Sequence, residues 1–219
     1  MATRPLVFLD FETDGLKTNT CVPTQLALVF YDQEERKEVA KHEFFICPPK
    51  GHELNREILA KTDVSYEDAM SGVTQREACN LVHSFVKESV GGKMTKFNKP
   101  TIVAHNAPFD VSFMMTMFIN NSADIAKTFE TQNDVVGYIC TQRLFTNYVS
   151  NPSISFEGSK NLGSMCDYFD VPLFNAHGAM ADTLATKSCW EKMTSGSTYE
   201  KEEVAATQNL KKKRNHFQI

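Results

Sequence analysis

An apolar segment near the start of the chain, Leu6–Phe11 (LVFLDF), contains one carboxylate and is followed directly by a second. Such a run predicts a buried β-strand, in which side chains two residues apart project from the same face. Asp10 and Glu12 would therefore lie side by side. Two neighbouring carboxylates in a poorly solvated position repel each other and take up protons unless a cation neutralises them. The segment thus predicts either a site for a hard cation such as Mg²⁺ or Mn²⁺, or two solvent-exposed acids at a strand end.

The charge balance limits how the protein can hold a polyanion. The chain has 219 residues and a formal net charge of −4. A protein that binds nucleic acid through a strong overall positive charge is therefore excluded. A polyanion would have to be held by a local basic patch, by metal ions or by a partner. The length fits one α/β domain or two small ones.

The cysteines and the apolar segments indicate the cellular environment. The six cysteines contain no CxxC pair, which argues against a zinc site, and the chain is large for a disulfide-based scaffold. We therefore expect reduced thiols. The apolar run near the N-terminus is too short for a signal peptide, and no stretch approaches the roughly 20 apolar residues that span a bilayer. These features predict a soluble, cytoplasmic protein with no membrane partner.

Five β-strands are predicted from short apolar or alternating runs. The first three would form an antiparallel meander and cover Leu6–Phe11, Gln25–Asp32 and Glu38–Cys47. Two more are expected at Pro100–His105 and Tyr138–Thr141. Helices are expected between these later strands and after them, so the sheet would be mixed and covered by helices on its faces. The fold class predicted from this order is α/β.

Helical spacing and capping signals place the helices. Thr74 begins a capping box that leads into one helix, which Gly91 and Gly92 end, and Pro108 stands where the next would begin. Later helices are predicted over Gln142–Val149, Asn161–Phe169 and Met180–Lys192, and one more after Ser197. The polar stretch Asn120–Asn133 is expected to be a surface connection. The stretch Asn151–Lys160 is expected to be a turn-rich loop.

A further acid lies where the fourth strand gives way to a helix. The stretch VAHNAPFDVSFM, Val103–Met114, places Asp110 in the first turn of that helix among apolar residues. An acid at this position can simply be a favourable partner of the helix dipole. It can also join Asp10 and Glu12 at one end of the sheet.

A histidine and a fourth acid occur in NAHGAMADTLATK, Asn175–Lys187. His177 precedes Asp182 by five residues, which on one continuous helix would separate the two side chains by about 140°. If Gly178 interrupts the chain and the helix starts near Met180, His177 lies on the preceding loop and can face the same site as Asp182. The alternative is an ordinary loop histidine.

Three motifs in this order resemble those of a known family. DFET-x-G, HNA-x-FD and H-x-A-x-x-D are similar to the three exonuclease motifs of the DEDDh 3′–5′ exonucleases, the family of the DnaQ-type proofreading subunit. The resemblance covers roughly Leu6 to Lys192. It implies an RNase H-like fold with a mixed five-stranded sheet, an exonuclease domain over residues 1–194, and a C-terminal helix with a basic tail over residues 195–219.

The resemblance also implies roles for individual residues. The metal ligands would be four acids: Asp10, Glu12, Asp110 and Asp182. They would bind two Mg²⁺ ions, for which Mn²⁺ can substitute, and His177 would be the general base. Contacts to the terminal nucleotide are implied for Thr13, Leu16, His105 and Asn106.

The chain departs from the family pattern at two places. Thr62-Asp63-Val64 stands where the family has Thr-Gly-Ile, and Gln25-Leu26 stands where members often have an acid followed by isoleucine. Neither departure removes an expected ligand. The second is expected to alter the support around the site.

The predicted function is metal-dependent 3′–5′ hydrolysis of DNA from its 3′ end, preferably of single strands, with release of nucleoside 5′-monophosphates. Such an enzyme would serve DNA-end processing, as in the exonuclease X-like members that the region after Lys192 resembles, or proofreading. The alternatives are an RNA-trimming exoribonuclease of the same family and a subunit that acts mainly with a polymerase; a homodimer is a further option. A non-catalytic binding module is disfavoured, because all five catalytic residues are present.

Overall fold

The computed structural model describes residues 3–132, 135–174 and 177–195. Seven strands are observed in these ranges: β1 Leu6–Thr13, β2 Pro23–Asp32, β3 Lys37–Phe45, β4 Thr101–Ala104, β5 Thr131–Gln132, β6 Val135–Val136 and β7 Tyr138–Cys140. The α-helices there are α1 Arg56–Leu59, α2 Tyr66–Ser71, α3 Gln75–Ser89, α4 Ala107–Asn120, α5 Thr141–Val149, α6 Leu162–Phe169 and α7 Ala179–Ser195. A 3₁₀ turn at Ile125–Lys127 follows α4.

The central sheet has five strands in the order β3-β2-β1-β4-β7. Strands β1, β2 and β3 pair antiparallel, and β4 and β7 add to the other side of β1 in parallel. The predicted mixed sheet of three antiparallel strands plus parallel strands, flanked by helices, is confirmed. All five predicted strands occur, although β3 ends at Phe45 and β7 ends at Cys140.

Strand β1 is apolar along its length because both of its faces are covered. Val7 and Leu9 belong to the main core, to which α3 and α4 contribute. Leu6 and Phe8 point to the opposite face and pack with Trp190 of α7. Side chains alternate between the faces of a strand. Asp10 and Glu12 therefore share the α7 face with Leu6 and Phe8.

The loop after β1 is tied to the segment that precedes α1. Asp14 is buried, and its Oδ2 lies 2.6 Å from Nε2 of His52, while its Oδ1 accepts the backbone N–H of Val22 at 2.7 Å. Gly15, the last residue of the DFET-x-G motif, has no room for a side chain, since a Cβ would lie 2.4 Å from Sγ of Cys21. These contacts hold the turn that follows the two carboxylates.

One expectation about the connections is wrong. The stretch Asn120–Asn133 is not merely a surface connection, because it contains the 3₁₀ turn and β5, and Phe129 is fully buried in the main core. Thr128 is also buried, and its Oγ1 lies 2.9 Å from Nδ1 of His83. One aromatic side chain anchors a stretch that is otherwise polar. The predicted turn-rich loop between α5 and α6, in contrast, has neither helix nor strand.

The helices and the cysteines bear on the expected cellular environment. Within the described ranges, no helix combines the length and the apolar character needed to cross a bilayer. All six cysteines are free thiols. The predicted helix after Ser197 and the basic tail Lys211–Arg214 lie outside the described residues.

Candidate active site

Three carboxylates from two elements meet on one face of the sheet. Asp10 and Glu12 extend from β1, and Asp182 extends from the first turn of α7, which packs against that face. Each of the three offers an oxygen that lies within 4.8 Å of the others. A distance of this size allows one cation to contact all three.

The fourth acid, Asp110, lies in the first turn of α4 and is 1% exposed. Strand β4 pairs with β1 only from Leu6 to Phe8, so the end of β1 extends beyond its parallel neighbour. The Oδ1 of Asp110 accepts the backbone N–H of Phe11 at 3.1 Å. At the end of β1 the Asp110 side chain thus accepts a backbone hydrogen bond where β4 no longer pairs. This hydrogen bond holds Asp110 beside Asp10.

The electrostatics of the cluster are unfavourable without a cation. Desolvation raises the pKa of Asp10 well above its usual range, and the charges of Asp110, Asp182 and Glu12 raise it further. Desolvation and the nearby Asp182 raise the pKa of Glu12 to about 8. Burial also raises the pKa of Asp110 and of Asp182. In the described ranges, no lysine or arginine forms an ion pair with any of the four.

The donor set fits divalent cations. The Oδ1 of Asp182 is buried and has no hydrogen-bond partner, which is costly for a charged oxygen. Four carboxylates offer the hard oxygen ligands that Mg²⁺ and Mn²⁺ prefer. Asp10, Glu12 and Asp182 form a group that could hold such an ion. A cation would satisfy the oxygen and remove the mutual repulsion.

His177 lies on a loop, as the interruption at Gly178 predicts. Helix α7 begins at Ala179, and the backbone N–H of Asp182 donates to the carbonyl of Gly178 at 3.0 Å. His177 is exposed and has a left-handed backbone with φ of 76°. Burial raises the pKa of Asp182, and the neighbouring His177 partly offsets that rise through the charge of its ring and a backbone hydrogen bond. His177 thus lies on the loop before α7 and neighbours Asp182, as an interruption at Gly178 predicts.

The turn between α1 and α2 supports this loop. The backbone N–H of Asp63 donates to the carbonyl of His177 at 2.8 Å. The carboxylate of Asp63 adds to the charges that raise the pKa of Glu12. Asp63 occupies the position at which the family has glycine, so this chain has an additional negative charge at the edge of the site.

The two substrate-contact candidates in and directly after the first motif, Thr13 and Leu16, differ in exposure. Thr13 is buried, and its hydroxyl donates to the carbonyl of Gly15 at 2.7 Å. The register of β1 against β2 shifts between Glu12 and Thr13, and such irregularities redirect side chains. Leu16, which follows Gly15 in the loop after β1, is 81% exposed. It presents an apolar surface to solvent.

The two candidates from the second motif also differ. His105 has protein partners for both ring nitrogens, since Nδ1 lies 3.2 Å from Oγ1 of Thr141 and Nε2 lies 3.1 Å from the carbonyl of Lys160. Burial lowers the pKa of His105 to about 4, so the ring is neutral near pH 7. Asn106 is exposed, has a left-handed backbone with φ of 59°, and makes no side-chain capping bond to α4. Of this pair, Asn106 is exposed and His105 is half-buried.

One departure from the family pattern has a structural counterpart. Gln25 lies directly opposite Glu12 in the β1–β2 pairing. Its side-chain N–H donates to Glu43 at 3.0 Å, and its Oε1 accepts the backbone N–H of Ala179 at 3.4 Å. The sequence motifs contain no signal for Glu43, because its contact with α7 depends on the register of β3 and on how α7 docks.

Comparisons with known proteins agree with this geometry. The family described as Exonuclease, of the RNase T type, matches residues 7–188. Ribonuclease T of Histophilus somni is 26% identical over 170 residues, which cover 74% of this chain and 77% of that protein. Ribonuclease T of Escherichia coli K12 is 31% identical over 114 residues, which cover 50% of this chain and 52% of that protein.

Solved structures share the fold. A structure of Exonuclease I superposes with a TM-score of 0.73 at 19% identity, over 90% of this chain and 42% of that one. The zinc-bound E. coli Exonuclease I complex with single-stranded DNA gives a TM-score of 0.74 at 18% identity, over 93% of this chain and 43% of that one. This chain therefore spans less than half the length of Exonuclease I.

The family match extends over the three motifs, and the structure unites the acids of all three at one end of β1. The chain belongs to the exonuclease family and is a 3′–5′ exonuclease of the DEDDh type.

Proposed function

We propose that this exonuclease removes nucleotides from the 3′ end of single-stranded DNA and releases nucleoside 5′-monophosphates. The observation that supports this most is the group of three carboxylates within 4.8 Å of one another, one of them with a buried oxygen that lacks a partner. The neighbour with the same fold that holds single-stranded DNA favours DNA. A single strand also suits an exposed apolar contact such as Leu16, which any base can stack against.

RNA is the second candidate substrate. The relatives found by sequence are named Ribonuclease T, and this favours an RNA-trimming activity of the same site. Discrimination would require a group that contacts the 2′-hydroxyl. Thr13 and Asn106 are the polar candidates from the motifs, and neither excludes a ribose on chemical grounds.

The four acids would hold two Mg²⁺ ions, with Mn²⁺ as a substitute. Asp10, Glu12 and Asp182 would form one site, and Asp10 with Asp110 would form the second. When bound, such ions neutralise the carboxylates and stabilise the charge that develops on the phosphate oxygens. The backbone N–H of Phe11 restrains Asp110, and the docking of α7 restrains Asp182.

His177 would act as the general base. Its ring is exposed on a loop beside Asp182, and a ring nitrogen can accept the proton of the attacking water. The bond from Asp63 to the carbonyl of His177 limits how far the loop can move away. The side chains of this chain would thus orient the water, take its proton and hold the acids in place.

The substrate contacts would be divided among the motif residues. Leu16 would pack under the terminal base, and Asn106 and Thr13 would contact the sugar or the phosphate. His105 has no free ring nitrogen, so its contribution would be to hold the turn before α4 through Thr141 and Lys160. Asn106 follows directly in that turn.

The remaining expectations concern the whole protein. We propose residues 1–194 as the exonuclease domain, followed by the C-terminal segment 195–219. A polymerase partner, a homodimer, a cytoplasmic location, and a choice between DNA-end processing and proofreading stay predictions.

The test uses a 5′-labelled single-stranded DNA oligonucleotide and an RNA of the same sequence, each incubated with Mg²⁺, Mn²⁺ or EDTA. We expect a ladder that shortens from the 3′ end with either metal and no cleavage in EDTA. The ratio of the two rates identifies the substrate. Oligonucleotides that remain intact under every condition would contradict the proposal.

The acidic cluster also predicts how stability depends on pH and metal. The pKa values of Asp10, Glu12 and Asp110 are raised by folding, so the folded state binds more protons than the unfolded state between about pH 4 and pH 8. In EDTA, the free energy of unfolding should therefore fall as pH rises from about 6.5 to 8. His105 does not oppose this, because its lowered pKa acts only below that window.

Mg²⁺ should reverse this loss by binding the ionised carboxylates. At about pH 8 we expect the melting temperature to rise by roughly 5 to 10 °C on addition of Mg²⁺. Thermal unfolding followed by circular dichroism at three pH values, in EDTA and in Mg²⁺, measures both effects. A melting temperature that rises with pH in EDTA would argue against the buried cluster.

A further inference from the structure

The start of α7 is held by side chains from the sheet. The backbone N–H of Met180 donates to Oε1 of Glu43 at 3.1 Å, and that of Ala179 points to Oε1 of Gln25 at 3.4 Å. The first N–H groups of a helix have no partner within the helix and are usually capped by the side chain just before it. Here that residue is Gly178, which has no side chain. Gln25 and Glu43 supply the cap from β2 and β3.

These two residues also bind each other, and we call the pair the α7 clamp. The side-chain N–H of Gln25 donates to the same Oε1 of Glu43 that Met180 uses, at 3.0 Å. A glutamine can donate to Glu43 and accept from α7 at once, which a carboxylate cannot do. Because position 25 is a glutamine and not the acid that family members often have there, the carboxylate of Glu43 can lie close to it without repulsion.

The clamp acts on the short segment between two site residues. Ala179 and Met180 lie between His177 and Asp182, and both use their backbone N–H in the clamp. Gln25 is opposite Glu12 in the sheet, so the clamp joins the start of α7 to the strand next to the β1 carboxylates. The negative charge of Glu43 also faces the positive end of the helix dipole.

We propose that Gln25 and Glu43 are positioning residues, which fix His177 and Asp182 over Asp10 and Glu12 without touching the substrate. The inference rests on the proposed roles of His177 and Asp182. Partners that orient metal-binding side chains typically change metal affinity or activity by about 10- to 100-fold when removed. We expect an effect of this size on kcat and on metal affinity, with KM changed less than about twofold.

The chain offers a matched control on the same strand. Glu38 of β3 also contacts α7, through an ion pair of 3.3 Å with Lys187, but far from the start of the helix. Glu38→Ala removes a contact between β3 and α7 without changing the clamp. A general loosening of α7 would affect both variants, whereas positioning of the site would be lost only in Glu43→Ala.

The experiment compares Glu43→Ala, Glu43→Gln, Gln25→Glu and Glu38→Ala with the unmodified chain. We expect Glu43→Ala to lower kcat about 10- to 100-fold and to shift the pH profile of kcat, because His177 and Asp182 lose their fixed separation. Glu43→Gln keeps an oxygen for Met180 and Gln25 and should retain activity within a few-fold. Gln25→Glu brings two carboxylates together and should resemble Glu43→Ala.

A second readout makes the test independent of turnover. Mn²⁺ affinity, measured by titration, should be weakened about tenfold in Glu43→Ala and be unchanged in Glu38→Ala. If the unmodified chain cleaves neither DNA nor RNA, the proposed function fails, and the clamp is then judged by Mn²⁺ affinity alone. Equal kcat and equal Mn²⁺ affinity in Glu43→Ala and Glu38→Ala, in folded protein, would overturn the inference.

Discussion

The Asp182→Asn variant should hydrolyse 3′ ends at least about a thousandfold more slowly than the unmodified chain. The Oδ1 of Asp182 is buried without a partner, and Asp182 is the one member of the three-carboxylate group that α7 supplies. An amide at this position keeps the shape of the side chain but removes the charge, and its NH₂ group cannot bind a cation. We therefore expect the loss to appear in kcat, with the fold intact.

The control for this variant is Asp167→Asn. Asp167 is an exposed acid on α6, the helix that packs beside α7, and it is outside the carboxylate group. Its replacement should leave the rate within about twofold, as surface substitutions usually do. A rate for Asp182→Asn within tenfold of the unmodified chain would show that Asp182 is not a ligand. Single-turnover cleavage of a 5′-labelled oligonucleotide measures both rates.

The second large effect is a gain of stability that accompanies a loss of activity. In Asp110→Asn the side-chain oxygen can still accept the N–H of Phe11, but the buried negative charge is gone. Asp110 contributes the largest of the neighbouring charges that raise the pKa of Asp10. At about pH 8 in EDTA we expect the variant to be more stable by about 1 to 3 kcal/mol, and to be inactive.

The size of this stability gain should depend on pH. The raised pKa of Asp110 means that its carboxyl group is protonated in the folded state at about pH 5, so the variant should gain little there. The gain should grow as pH rises through the folded pKa. Denaturant unfolding in EDTA at both pH values measures this difference. A variant that is less stable than the unmodified chain at pH 8 would indicate that Asp110 contributes to the fold through its charge.

Much of the fold and of the candidate metal site follows from local patterns. The apolar run of β1 predicts a buried strand, and residues two apart in it must share a face, so the pairing of Asp10 with Glu12 needs no tertiary information. The break at Gly178 likewise predicts that His177 precedes the helix of Asp182. These inferences succeed because the spacing of residues within one strand or helix determines the direction in which their side chains project.

The rest depends on contacts between distant parts of the chain. The N–H of Ala179 and the side chain of Gln25 are 154 residues apart, and their contact requires the registers of β1, β2 and β3 together with the docking of α7. The ring of His105 contacts the carbonyl of Lys160, 55 residues away, and no local pattern predicts that contact. The core offers a second example of a contact that local patterns do not predict. Phe129 is fully buried although the residues around it in the chain are mostly polar.

The alternation of β1 has a consequence for how insertions and deletions would act on this enzyme. Even-numbered residues from Leu6 to Glu12 face α7, and odd-numbered residues from Val7 to Phe11 face α3 and α4. A single residue added or lost before Asp10 would exchange the two sets. The carboxylates would then enter the apolar core. The alternation of side chains along β1 thus serves both the packing of the core and the grouping of the carboxylates. A shift of one residue would disrupt both at once.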